Sequence, residues 1–201
     1  MSVRILTFVL ASVMAGAAVA SAQTAPAKPA PAKAAAAAAK PGQTSPGAGP
    51  VVVVETEKGT FEFETYPNEA PKTVAHILGL INKRFYNGQR VHRVVPGFVI
   101  QMGDPQTRDM TKQASWGNGG SGTTVGVAEI SKTRTHVRGA VAMAHAGDAA
   151  KADSQFYVTL ADQHRLNADY TVFGKVISGM DVVLKIVQTD RIVRVTVRGA
   201  K

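Results

Sequence analysis

The chain has no cysteine. That excludes structural disulfides, thiolate catalysis, a lipoprotein anchor and Cys-ligated zinc. Aromatics are scarce, at 6% of residues with one tryptophan, so Val, Ile, Leu and Ala must fill most of any core. No G-x-S-x-G or HExxH motif occurs, and His76, His92, His136, His145 and His164 form no HxH or HxxxH pair. Nucleophile-elbow hydrolysis and zinc hydrolysis therefore lack their residues. The glycine-rich stretch from Gly117 to Gly126 has no Lys-Ser/Thr ending, which argues for an irregular surface loop over a phosphate cradle. Glu62 and Glu64 alternate along a strand and read as a solvated face, not a glycosidase carboxylate pair.

Acidic residues are also missing from one region: none precedes Glu55. Arg4, Lys28, Lys33 and Lys40 are the only charges there, and the other 19 of the 23 basic residues face all 14 acidic ones. The net charge of +9 thus splits into +4 on the first fifty residues and a modest +5 beyond them. The basic residues of the second part are scattered, so no nucleic-acid partner is expected.

Residues 1–22 have the pattern of a cleavable secretory signal. Arg4 supplies the positive start, Ile5 to Ala20 the apolar run, and Ala20-Ser21-Ala22 the small-residue cleavage site. The run is short for a bilayer span, so no stable membrane insertion is expected after cleavage, and the periplasm is the expected location. Residues 23–50 are rich in alanine, proline and lysine and offer almost nothing to bury, as in a disordered linker.

Residues 51–201 carry the folding signals. Val51–Glu55 and Thr60–Tyr66 suggest a hairpin about Lys58-Gly59, with Phe61, Phe63 and Thr65 on one face. Asn68 is placed to cap a helix that has Pro71 in its first turn, with Val74, Ile77, Leu78 and Ile81 at helical spacing and an end near Phe85. Short strands are expected at Gln89–Val95, Phe98–Gln101, Gly139–Ala144, Gln155–Thr159, Thr171–Val176 and Ile192–Val197. A second helix is expected over Gly179–Val187, through Met180, Val183, Leu184 and Val187. Many short strands with two helices predict a mainly β protein, a closed barrel with helices over its ends.

One stretch stands out: Val91-His92-Arg93-Val94-Val95-Pro96-Gly97-Phe98-Val99-Ile100-Gln101-Met102-Gly103-Asp104. A strand, a Pro-Gly turn and a second strand bring one cation, one aromatic ring and one amide together. Here the chain resembles the cyclophilin family of peptidyl-prolyl cis/trans isomerases. Gly139 to Ala146, Ser154-Gln155-Phe156-Tyr157, and Leu166 to Val176 extend the likeness in family order, with Ala70 to Val74 and Phe85 to Gly88. The resemblance implies a closed eight-stranded antiparallel β-barrel capped by two α-helices, no cofactor or metal, and a monomer acting on proline-containing polypeptides, here exported proteins that it helps to fold. It also implies Arg93 as the catalytic cation. Phe98, Val99, Tyr157 and Leu166 would form the proline pocket, Gln101 would hold the substrate backbone and Arg93, and Ala144, His145 and Ala146 would pair with the residue before proline. Arg165 and Tyr170 complete the expected binding set.

Four positions depart from the common family pattern. Val99 replaces Met, His145 replaces Asn, Tyr157 replaces Phe, and Arg165 replaces Trp or Phe. The Tyr157 hydroxyl needs a partner in an apolar wall, and the loss of the aromatic at Arg165 implies weak cyclosporin binding. These changes motivate an alternative reading, a non-catalytic module that only binds proline-containing segments.

Overall fold

The computed structural model describes residues 49–199. The expected signal, and the linker apart from Gly49 and Pro50, lie outside the described residues. Those two residues are tied to the domain: Gly49 N–H donates to the Thr65 carbonyl (3.1 Å), and the Pro50 carbonyl accepts from Thr65 N–H (3.2 Å).

Strands β1 (Val51–Thr56) and β2 (Gly59–Thr65) pair antiparallel with Val54 opposite Phe61 and Thr56 opposite Gly59. The turn is therefore Glu57-Lys58, one residue earlier than expected. Alternation holds on the inner face, where Val52, Val54, Phe61, Phe63 and Thr65 have no exposed surface. It fails on the outer face. Glu64 is buried at 7% exposure and its Oε1 has no hydrogen-bond partner among the described residues, so the strand is not solvated there.

Helix α1 spans Pro71–Asn82 and buries Thr73, Val74, Ile77, Leu80 and Ile81. Asn68 does not cap it. The residue before a proline is driven out of helical geometry, and Ala70 sits at φ −138°, ψ 59°, which fixes the start at Pro71. A remote carboxylate supplies the missing cap: Glu129 Oε1 accepts from Lys72 N–H (3.0 Å) and Oε2 from Thr73 N–H (2.9 Å).

The remaining strands are β3 (Arg93–Val95), β4 (Val99–Met102), β5 (Ala140–Met143), β6 (Phe156–Thr159), β7 (Val172–Ser178) and β8 (Ile192–Val197). All eight form one antiparallel sheet in the order β3-β4-β6-β5-β7-β2-β1-β8. The sheet curls but does not close into the expected barrel, because no ladder joins β3 to β8. The predicted strand from Gln89 begins only at Arg93. Residues 88–91 instead make main-chain hydrogen bonds to residues 189–192, including Val91 N–H to the Asp190 carbonyl (2.9 Å) and Ile192 N–H to the Gln89 carbonyl (2.8 Å). These bonds bring the two edges near one another without continuing the ladder.

The second expected helix is reduced to one turn, α2 (Met180–Val183). The Asp190 carboxylate takes the Val187 N–H (2.8 Å), which a continuing helix would give to Val183. Leu184 and Val187 are consequently half-exposed rather than core. Val183 and Ile186 do reach the main core, where they join α1 and the inner faces of the strands.

Strand alternation sorts the interior into two clusters. Ile100, Met102, Val141, Met143, Phe156, Val158 and Phe173 face the main core. Val99, Ala140, Ala142, Tyr157 and Val172, on the opposite faces of the same strands, form a second cluster with Phe98, Ala144, Leu166 and Tyr170. The second cluster carries the candidate site.

Candidate active site

β3 and β4 pair around Pro96-Gly97, with Gly97 at φ 70°, a left-handed conformation that costs glycine little. Arg93 faces Gln101 directly across the ladder. Its Nη1 donates to Gln101 Oε1 (3.2 Å), and its guanidinium carbon lies 5.5 Å from the Phe98 ring centre. The cation is thus exposed yet held from two sides. Gln101 Nε2 passes the connection on to Gln155 Oε1 (2.9 Å), and Gln155 Nε2 donates to the Gly117 and Gly119 carbonyls (2.8 Å each). Those glycines are anchored by Asp104, fully buried, whose Oδ2 accepts from Gly117 N–H (2.6 Å) and Gly119 N–H (3.1 Å). The glycine-rich loop is therefore the far end of the support for Arg93.

A cleft of about 140 Å³ opens beside this hairpin, lined by Arg93, Phe98, Val99, Gln101, Ala144, His145, Tyr157, Leu166 and Tyr170. Nine of the eleven residues expected at the site meet here. Ala146 is exposed beyond the lining, and Arg165 is not part of the wall. Arg165 instead places its guanidinium carbon 4.8 Å from the Phe98 ring centre.

Tyr157 forms part of the wall, and its hydroxyl is satisfied from behind. His136, fully buried, lies with Nε2 2.9 Å from that hydroxyl. Asn167 Oδ1 accepts from both the His136 main-chain N–H (2.9 Å) and Nδ1 (3.0 Å). Nδ1 therefore carries the ring proton, Nε2 is the bare acceptor, and Tyr157 donates to it. Burial pushes the His136 pKa below the ordinary histidine value and that of Tyr157 above the ordinary phenol value. Both groups are neutral at physiological pH, and no charge develops behind the apolar wall. His92, next to Arg93, is also held below its usual value, by burial first, against the attraction of Asp104.

The opposite wall is a stack. The His145 and Tyr170 rings lie 4.4 Å apart at 31°, and His145 Nε2 is 2.8 Å from the Asp169 carbonyl. Tyr170 meets Tyr157 edge-on at 5.8 Å. The Ala144 N–H is spent on the Gln155 carbonyl (2.9 Å), so a peptide strand laid here would be met by the Ala144 carbonyl and the His145 N–H.

Sequence reasoning missed Gln155, His136 and Asn167. Gln155 was within reach, since it sits two residues before Tyr157 and period-two alternation puts both on the face of Gln101. His136 and Asn167 carry no local signal.

The family model of cyclophilin type peptidyl-prolyl cis-trans isomerase matches residues 51–199. A probable peptidyl-prolyl cis-trans isomerase of Brucella abortus is 44% identical over 138 residues, 67% of this chain and 70% of the relative. Peptidyl-prolyl cis-trans isomerase B of Bacillus subtilis is 41% identical over 138 residues, 69% of this chain and 90% of the relative. A crystal structure of a Cryptosporidium parvum cyclophilin type peptidyl-prolyl cis-trans isomerase superposes with a TM-score of 0.67 at 25% identity, covering 76% of this chain and 99% of that one. The same protein has a second structure in the presence of the dipeptide Ala-Pro, with a TM-score of 0.65. With the family pattern spanning the whole described sheet and its cleft, the chain belongs to the cyclophilin-type peptidyl-prolyl cis-trans isomerases.

Proposed function

We propose that this isomerase uses Arg93 to stabilise the twisted X–Pro amide, and that it is exported through residues 1–22 to act on proline-containing polypeptides in the periplasm. Rotation about an X–Pro bond breaks no covalent bond, yet amide resonance sets a barrier of about 18–20 kcal/mol. Catalysis must therefore come from binding the twisted amide better than either planar form. Twisting returns the lone pair to the proline nitrogen and makes it a hydrogen-bond acceptor. A guanidinium meets that need, because it stays charged and offers several donors from a rigid plane.

The observation that carries this reading is the placement of Arg93, exposed at the edge of an apolar cleft and held by Gln101 and Phe98. One preorganised donor is worth about 3–4 kcal/mol, whereas a 10⁵-fold acceleration needs about 7 kcal/mol. The balance falls to the clamp. Phe98, Val99, Tyr157 and Leu166 would take the proline ring, and the Ala144–His145 backbone would hold the residue before it.

Arg93→Ala is expected to lower kcat/KM for a proline peptide by about 10²–10³ with the far-UV circular dichroism unchanged. A folded variant with near wild-type kcat/KM overturns the role of Arg93. For export, N-terminal sequencing of protein from the periplasmic fraction is expected to begin at Gln23. Full-length protein retained in the cytoplasm overturns that part.

A further inference from the structure

We propose that Arg165, acting with Arg93, makes this isomerase prefer peptides with an acidic residue directly after the proline. The inference rests on the peptide site proposed above and adds a substrate preference to it. Two guanidiniums share one aromatic ring at the cleft: Arg93 and Arg165 lie 5.5 Å and 4.8 Å from the Phe98 ring centre. Four other arginines are paired with carboxylates, Arg134 with Glu69, Arg191 with Glu57, Arg194 with Glu55 and Arg198 with Glu62. Neither Arg93 nor Arg165 has such a partner among the described residues, and every Asp and Glu of the chain lies within them.

The acids nearest to Arg165 in sequence do not neutralise it. Asp162 Oδ1 accepts the Arg138 N–H (2.8 Å) and its Oδ2 lies 3.9 Å from His164 Nε2, while Asp169 meets the cleft through its carbonyl, at His145. The cleft wall itself contains no carboxylate. An aromatic wall would be indifferent to a neighbouring carboxylate; a stacked, unpaired guanidinium is not, because its planar fork matches a carboxylate with two donors.

The strand order gives the side. β4, β6 and β5 run in sequence across the site, so Tyr157 on β6 lies between Phe98 and Arg93 on one flank and Ala144–His145 on the other. With the residue before proline along Ala144–His145 and the ring against Tyr157, the chain after proline leaves over Phe98, where Arg165 waits.

The test uses three peptides identical except for Glu, Gln or Lys after the proline, with isomerisation followed by exchange NMR. The wild-type kcat/KM is expected to fall in the order Glu, Gln, Lys, with about a 3- to 10-fold ratio between the extremes, as for an exposed but well-oriented ion pair. That ratio is expected to shrink in 0.5 M NaCl through screening. Arg165→Gln should flatten the order and Arg165→Glu should reverse it. A ratio near one in the wild type, or a ratio unchanged in Arg165→Glu, overturns the proposal, as does a preference for acid before the proline instead. Acceleration of the Gln peptide reports separately on the isomerase site. If the Gln peptide is turned over but the ratio is flat, only the preference fails; if no peptide is accelerated, both readings fall.

Discussion

The two faces of β4, β5 and β6 show opposite solutions with the same backbone. Inward, Ile100, Met102, Val141, Met143, Phe156 and Val158 are at most 1% exposed and purely apolar. Phe156 packs edge-on or tilted against Tyr86, Phe63 and Phe173 at 5.5–6.1 Å. Outward, one residue away in each strand, Val99, Gln101, Ala142 and Tyr157 combine apolar surface with polar groups that are each tied to a named partner. The inner face is full and the outer face leaves a cleft. A pleat of period two thus separates what holds the fold from what meets the substrate, and a one-residue slip would exchange them.

That separation can be broken experimentally. The largest effect is expected inside. Phe156→Ala should destabilise the protein by about 3–5 kcal/mol, read by chemical denaturation, because it leaves a cavity among three rings. The kcat/KM of the fraction still folded should change little. A large loss of kcat/KM without loss of stability would show that the two faces are not independent.

The next effect lies on the outer face. His136→Phe removes the acceptor for the Tyr157 hydroxyl and should cost about 1–3 kcal/mol. Adding Tyr157→Phe should recover most of that loss, because the orphaned hydroxyl is gone. If the double variant is no more stable than His136→Phe alone, the hydroxyl–imidazole pair is not what holds this wall.

A smaller effect concerns pH. His92 and His136 are buried in their neutral forms with pKa values below the ordinary 6.5. Below about 6.5 the unfolded chain binds protons that the folded one refuses. The stabilisation is therefore present above that pH and is lost progressively as pH falls toward the folded-state values. Tm should decline between pH 7 and pH 5, and less steeply in the His136→Phe, Tyr157→Phe double variant. An identical slope in that variant would remove His136 from the account.

Much of this was legible in the sequence, and the exceptions have a common cause. The β1–β2 hairpin and α1 follow from local periodicity, and the Arg93–Gln101 pairing follows from a Pro-Gly turn of fixed length. What escaped was set by side chains far along the chain. Glu129 caps α1 from 57 residues away, which no local capping rule can find. Asp190 ends α2 by taking a main-chain N–H, although Leu184 and Val187 keep helical spacing. The bonds between residues 88–91 and 189–192 replace the strand that propensity suggested before Arg93. In the site, nine of the eleven residues named from motif and resemblance line the cleft, but His136 reaches Tyr157 across 21 residues with nothing between them to mark the pair.

The central claim is that Arg93 acts on the twisted amide and not on the resting peptide. Exchange NMR on one proline peptide with wild type and Arg93→Ala, read for both Kd and the on-enzyme cis/trans rate, tests it most directly. The account predicts an on-enzyme rate lower by about 10²–10³ with Kd changed only a few-fold. An unchanged rate, or a Kd weakened as much as the rate is slowed, would contradict it.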